Sequence, residues 1–294
     1  MNNSTNYRFV TNYRDNSNLR NSLNHLTEKT YGFNFETWYN AGFWGEGYIP
    51  YSLCDGDKII ANVSVNLMDF DYNGTEKKYI QIGTVMTDKS YRNQGLSRFL
   101  INKIMEDWKD KADGIYLFAN DSVLEFYPKF GFVPSKEFQY YKEISQNGHE
   151  LSAKRIDLTN DCNQNKFVSL VKNSISNGSF VMKNKLGLLM FYVTSFMKDC
   201  IYYIKEQDVY VIAEIDGQSL FIHDIIADHI IDLDSVFQAF GSEIIKVTLG
   251  FTPLCTDGYM QIEVNEEDTT LFVYGEDLND FSAKRIMFPT LTHA

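Results

Sequence analysis

Residues 85–100 read VMTDKSYRNQGLSRFL. An apolar run closes on Val85, Met86 and Thr87, a polar stretch sets Arg92 and Arg98 around Gly95, and apolar residues at helical spacing follow directly. A strand-to-helix turn of this kind gathers unpaired backbone N–H groups and the positive end of a helix dipole at one point, which suits an anion. Gly95 lets the backbone approach a pyrophosphate closely, while Arg92 and Arg98 add side-chain charge. Read only as R-x-x-G-x-S, the pattern also fits an ordinary turn with no ligand.

The surrounding chain must supply a strand before this turn and a helix after it. An antiparallel meander precedes it: YSLC, a turn at Asp55-Gly56, KIIANVSVNLMDF, a turn at Asn73-Gly74, then KKYIQIGTVMT. Further upstream, YRFVTNY reads as a short strand, and a helix from Asp15 to Tyr31 carries Leu19, Leu23 and Leu26 at helical spacing before Gly32 stops it. Downstream, a helix over 95–111 places Leu100, Ile104 and Trp108 on one side, and the strand GIYLFAN follows. A short helix near Asp121 and a closing strand FVPSKEFQYYKEI complete this half.

With these elements in place, GTVMTDKSYRNQGLSRFLINKI followed by IYLFANDSVLEFYPKFGFVP resembles the acetyl-CoA-binding core of the GNAT superfamily of N-acyltransferases. That family joins a strand, a Q/R-x-x-G-x-G/A loop, a long helix, another strand, an Asn, a Tyr and a closing Gly-Phe. Arg92, Gly95, Ser97, Asn120, Tyr127 and Gly131-Phe132 stand in those places. The resemblance covers residues 5–145 in element order and is specific over 82–134. Ser97 in place of Gly or Ala, and Pro128 directly after Tyr127, depart from the family pattern.

The resemblance implies a mixed α+β fold, a central mixed sheet flanked by helices, with acetyl-CoA as cosubstrate. It implies that Val85, Met86 and Thr87 bind the pantetheine arm through their backbone. Arg92, Asn93, Gln94, Gly95, Leu96, Ser97 and Arg98 would hold the pyrophosphate, and Asn120 would reach the pantetheine. Tyr127 would protonate the departing thiolate, although a tyrosine before Pro-Lys-Phe-Gly-Phe could also simply pack under the sheet. Direct attack by an amine is implied, with no acyl-enzyme and no metal. No cysteine falls in the motif region.

The general base is left open: Glu36, Glu46, Asp69 and Asp71 lie where the family places its acceptor cleft, and a water relay could replace any of them. The aromatic segment from Tyr31 to Tyr51 could hold a cationic amine or serve as a hydrophobic lid or domain contact.

Length and composition frame this chemistry. A chain of 294 residues has room for two domains, expected here as 1–146 and 147–294, with a turn-forming break at Gln146-Asn147-Gly148. No apolar run is long enough to span a bilayer and no secretion signal opens the sequence, so a cytoplasmic location is expected. Four scattered cysteines suggest buried free thiols rather than a zinc site or disulfides. The net charge of -12 divides unevenly: 16 Lys/Arg face 18 Asp/Glu in 1–146, against 11 and 21 in 147–294. This argues against nucleic acid as partner and fits either a cationic one or a charge kept for solubility. A small-molecule or peptide amine is the expected acceptor.

The second half repeats a similar order loosely. NKFVSLVKNSI and LDSVFQAFG read as helices, while CIYYIKEQ, VYVIAEI, SLFIHDII, EIIKVTLGF, YMQIEV, TTLFVYG and AKRIMF read as strands. It has no Arg-x-x-Gly turn, so the expectation is a tandem arrangement with a degenerate GNAT-like second domain. His223, Asp224, Asp228 and His229 are expected as surface polar residues rather than metal ligands. The last residues, FPTLTHA, could bring the terminal carboxylate near the cleft, as in some tandem relatives. Two other readings stay open: a non-catalytic acyl-CoA binder, and a scaffold in which neither half binds CoA.

Overall fold

The computed structural model describes residues 7–145 and 151–293, so the expected break at 146–148 and the terminal Ala294 lie outside the described residues. In chain order the first half forms β1 (Arg8–Thr11), α1 (Ser17–Tyr31), α2 (Glu36–Asn40), β2 (Tyr48–Asp55), β3 (Lys58–Tyr72), β4 (Thr75–Thr87), α3 (Leu96–Trp108), β5 (Gly114–Ala119), β6 (Val133–Pro134) and β7 (Phe138–Glu143). The second half forms β8 (Ala153–Arg155), α4 (Asp161–Asn173), β9 (Gly178–Met182), α5 (Leu186–Ser195), β10 (Ile201–Ile204), β11 (Val209–Asp216), β12 (Ser219–Ile226), α6 (Leu233–Gln238), β13 (Lys246–Leu249), β14 (Thr252–Pro253), β15 (Met260–Glu263) and β16 (Thr270–Tyr274). Two mixed sheets flanked by helices result, an α+β fold.

Local chemistry sets the helix ends. Asn16 caps α1 by accepting from Leu19 N at 3.2 Å, and Gly32 ends it with φ +80°, a left-handed angle that glycine adopts without a Cβ clash. The apolar face of α3 buries Leu100, Ile101 and Ile104 completely, each worth about 1.5–3 kcal/mol of hydrophobic stabilisation. Trp108 is only partly buried, and its Nε1 donates to Tyr51 Oη at 3.0 Å.

Strand order in the first sheet is β1-β2-β3-β4-β5-β16-β6, so a strand from the far end of the chain sits between β5 and β6. β16 pairs with β5 from Thr270↔Ala119 to Tyr274↔Ile115. In the second sheet, β15-β7-β13-β12-β11-β10-β8, the intruder is β7 from the first half. The two sheets therefore interlock across residue 146. The stretch FVPSKEFQYYKEI, read as one strand, is split between sheets, because β6 pairs with β16 while β7 pairs with β13 and β15. Glu137 sits at that crossing, 6% exposed, and accepts from Phe288 N at 2.7 Å.

Two further readings are corrected. AKRIMF is not a strand: Phe281–Lys284 is one helical turn, followed by irregular chain that stacks Phe288 on Tyr116 at 3.8 Å between centroids. Of the four cysteines only Cys54 is buried; Cys162 and Cys255 are exposed and Cys200 is intermediate. Among the described residues no helix is long and apolar enough to cross a membrane.

Candidate active site

β4 and β5 run parallel, but they pair only at Tyr79↔Gly114, Ile80↔Ile115 and Gln81↔Tyr116. Beyond Gln81 the two strands separate, while β5 stays paired along its length to β16. The separation opens a cleft of about 980 Å³. Its divergence begins beside a bulge in β4, where Thr84 and Val85 lie opposite the single residue Val63 and Thr84 takes φ +49°.

The cleft gathers Val85, Thr87, Arg92, Asn93, Gly95, Leu96, Ser97, Arg98, Asn120 and Tyr127 in its walls. Met86 and Gln94 are not among the lining residues. Strand alternation turns the Met86 side chain to the opposite face, where it packs with Leu23 and Trp38, and Gln94 Oε1 accepts from Tyr7 Oη at 3.1 Å.

The turn is built to present backbone N–H groups. Asp88 is 3% exposed, accepts from Ser90 N at 3.0 Å and from Lys58 Nζ at 2.8 Å, and the lysine contact holds its carboxyl far below the usual range. Gly95 has φ +78°, no side chain caps α3, and a Cβ at this position would meet nothing within 4 Å. The first-turn amides of α3 thus face open space beside Arg92 and Arg98. Thr87 Oγ1 and Ser97 Oγ lie 2.9 Å apart and tie the end of β4 to the helix start.

On the other wall, Tyr127 is 4% exposed and rests on Phe126, Phe132 and Phe272, the last supplied by β16. Burial pushes its phenol up to about 12, so it stays protonated at neutral pH. In place of one short helix there are two 3-10 turns, Asp121–Val123 and Tyr127–Phe130. Pro128 opens the second, where its missing N–H costs nothing. Asn120 Nδ2 donates to Asp268 Oδ2 at 2.8 Å, and Asp121 N donates to Asp268 Oδ1 at 2.6 Å, so a loop of the second half holds the end of β5.

The structure divides the aromatic segment. Tyr31 and Phe33 line the cleft, and Tyr31 Oη donates to Val85 O at 3.1 Å. Phe35, Trp38, Trp44 and Tyr48 are core residues, and Trp38 Nε1 donates to Gly187 O at 2.7 Å across the two halves, the contact role rather than a cation box. None of the four carboxylates considered as base lines the cleft. Glu36 is held by Arg20 at 3.0 Å, Glu46 by Arg14 at 2.8 Å, Asp69 by Asn184, and Asp71 accepts from Gly74 N at 2.8 Å. Sequence reading missed Thr84 and Phe118 on the walls, since neither type nor spacing marks them.

His223 lies on β12 with Nδ1 3.0 Å from Thr290 Oγ1, and His229 pairs with Asp228 at 2.8 Å in the loop before α6. His293 stacks on Phe118 at 3.9 Å between centroids, so the end of the described chain abuts the cleft.

Residues 18–132 match the family model described as Acetyltransferase (GNAT) family. Over that segment the chain is similar to the GNAT acetyltransferases. No curated protein sequence matches it. Among solved structures, a probable N-acyltransferase from Enterococcus faecalis V583 superposes over 94% of this chain and 74% of its own, with a TM-score of 0.56 at 14% identity. A GCN5-related N-acetyltransferase from Kribbella flavida covers 92% and 72%, with a TM-score of 0.54 at 13% identity. Eis1 from Mycobacterium abscessus covers 90% and 72%, with a TM-score of 0.53 at 12% identity. At these identities the likeness concerns the fold. In the matched segment the diverging strands and the uncapped helix turn meet in one cleft, and the chemistry of the family it resembles is acyl transfer.

Proposed function

We propose that the protein is an N-acetyltransferase that moves the acetyl group of acetyl-CoA to a primary amine by direct attack. The observation that carries this reading is the juxtaposition in one cleft of the open Gly95 turn, the free edge of β4 and the buried phenol of Tyr127. The Gly95 amide region with Arg92 and Arg98 suits a pyrophosphate, and the edge of β4 at Val85 to Thr87 that faces away from β3, where no strand pairs, suits the pantetheine amides. Acetyl-CoA supplies an activated thioester. Tyr127 gives its proton to the leaving thiolate and regains one from the solvent side of the cleft.

The acceptor is a small-molecule or peptide amine. Tyr31, Phe33 and Phe118 form the aromatic part of the cleft, and no carboxylate is among its lining residues. A cationic amine would therefore be received on ring faces, each good contact worth about 0.5–2 kcal/mol. Calorimetric titration of acetyl-CoA into the wild type and Gly95→Glu tests the cofactor assignment. Binding by the wild type that the variant loses supports it; no binding by the folded wild type refutes it. Tyr127→Phe with unchanged CoA affinity and undiminished turnover would show the tyrosine to be structural, while a wild type that binds acetyl-CoA and turns over no amine would be a non-catalytic acyl-CoA binder.

A further inference from the structure

We propose that the side-chain hydroxyl of Thr84 is a catalytic residue that donates a hydrogen bond to the thioester carbonyl oxygen of the acyl-CoA. The inference rests on the acyl-transfer reading and adds to it a residue outside the turn motif.

A buried chain of polar groups ends on Thr84. Tyr13 Oη lies 2.7 Å from Ser52 Oγ, and Ser52 Oγ donates to Asn62 Oδ1 at 2.7 Å. Asn62 Nδ2 donates to Ser64 Oγ at 2.9 Å, Ser64 Oγ to Tyr48 Oη at 2.9 Å, and Tyr48 Oη to Thr84 Oγ1 at 3.2 Å. The direction of this chain is forced. Asn62 Nδ2 also donates to the Thr84 carbonyl at 3.0 Å, and a carbonyl only accepts, so the amide has one orientation. Ser64 Oγ therefore receives a proton from Asn62 and, at 0% exposure, must place its own on Tyr48. Burial holds the Tyr48 phenol well above its usual range, so it remains a donor, and it donates to Thr84.

Thr84 Oγ1 thus already accepts, and no acceptor for its own proton appears among the described residues. The residue is half-buried and lines the cleft on β4 beyond Gln81, the last residue of β4 that pairs with β5. Its backbone points to the same use: a β-branched residue at φ +49° is strained, and such strain persists where the surroundings impose it at a functional position.

The step balances as follows. The amine nitrogen forms a bond to the thioester carbon while the C=O π pair moves onto oxygen, and the Thr84 O–H stabilises that developing oxyanion without transferring its proton. The C=O re-forms as the C–S bond breaks, the thiolate takes the Tyr127 proton, and the former amine nitrogen releases its proton to solvent. An amide and CoA leave.

The test uses the full chain and acetyl-CoA carrying 13C at the carbonyl, with no amine present. Isotope-edited infrared difference spectra should show the carbonyl band of the bound thioester at lower frequency in the wild type and Thr84→Ser than in Thr84→Val. In turnover, followed by CoA release with phenethylamine, spermidine or a blocked lysine, Thr84→Val and Thr84→Ala should lower kcat by roughly 10²-fold and leave the Kd for CoA unchanged. A carbonyl band identical in the wild type and Thr84→Val, both binding acetyl-CoA, overturns the proposal. Should Thr84→Val fail to fold, Thr84→Ala, which also lacks the hydroxyl, should shift the band in the same direction; an unmoved band overturns the proposal equally. A wild type that binds no acetyl-CoA overturns the cofactor reading itself, and binding alone tells these failures apart.

Discussion

Tyr31 Oη donates to the Val85 carbonyl at 3.1 Å, so a residue at the end of α1 occupies the strand edge that a pantetheine amide would use. On the proposed reading, acetyl-CoA exchanges that bond for its own when it binds. Tyr31→Phe leaves the ring and removes the competitor, and should tighten acetyl-CoA binding roughly 2- to 10-fold, the equivalent of one net hydrogen bond. Calorimetry decides it; weaker binding would mean that the hydroxyl helps hold the cosubstrate.

On the proposed reading Tyr127 protonates a good leaving group, so its loss should slow turnover without abolishing it. Tyr127→Phe is expected to lower kcat about 10²-fold at unchanged Kd for CoA. Because burial raises the phenol to about 12, the wild-type rate should show no loss from Tyr127 ionisation between about pH 7 and 9. A basic limb in that range which disappears in Tyr127→Phe would contradict this.

Asp268 fixes the amide of Asn120 with Nδ2 turned toward its carboxylate, which leaves Asn120 Oδ1 to accept from a ligand N–H. Asp268→Ala should weaken CoA binding roughly 3- to 10-fold. It should leave adenosine 3′,5′-bisphosphate, which lacks the pantetheine arm, unaffected. Equal losses for both ligands would show that Asp268 only supports the fold.

Glu137 is fully buried where the chain crosses between sheets, and burial raises its carboxyl to about 8. The folded protein therefore binds more protons than the unfolded chain between the ordinary value of 4.5 and about 8. Its contribution to stability is complete below that ordinary value and is lost as pH rises through about 8, with a slope of up to about 1.4 kcal/mol per pH unit. His223 and His293, pushed down to about 4 by burial, act in the opposite sense between about 4 and 6.5. The clean window is therefore 6.5 to 8. Denaturant titrations there should show wild-type stability falling with pH and Glu137→Gln, which keeps the acceptor for Phe288 N, staying flatter.

The Gly95 turn was legible because it is local. Strand, Arg92, Gly95 and helix are contiguous, and Gly95 takes the left-handed φ of +78° at the entry to α3. The meander β2–β4 was legible for the same reason, since each hairpin carries its own turn residues. Strand partners are another matter. TTLFVY has the same apolar, β-branched character as any inner strand, and nothing in it specifies that β16 will lie between β5 and β6, or that β7 will leave the first sheet for the second. Pairing is decided by which edge remains open once the local units have formed, and by the burial of Leu271, Phe272 and Val273 against the core of the first half. The aromatic segment shows the same limit: Phe33 and Phe35 are two residues apart, yet one reaches the cleft and the other the core. Local pattern sufficed for the strand, turn and helix around Gly95 and for the α+β class. Long-range packing set the rest: Asp268 and Phe272 from the second half brace Asn120 and Tyr127, and Thr84 lines the same cleft. Contacts between residues more than a hundred positions apart depend on packing as a whole, and no local pattern encodes them.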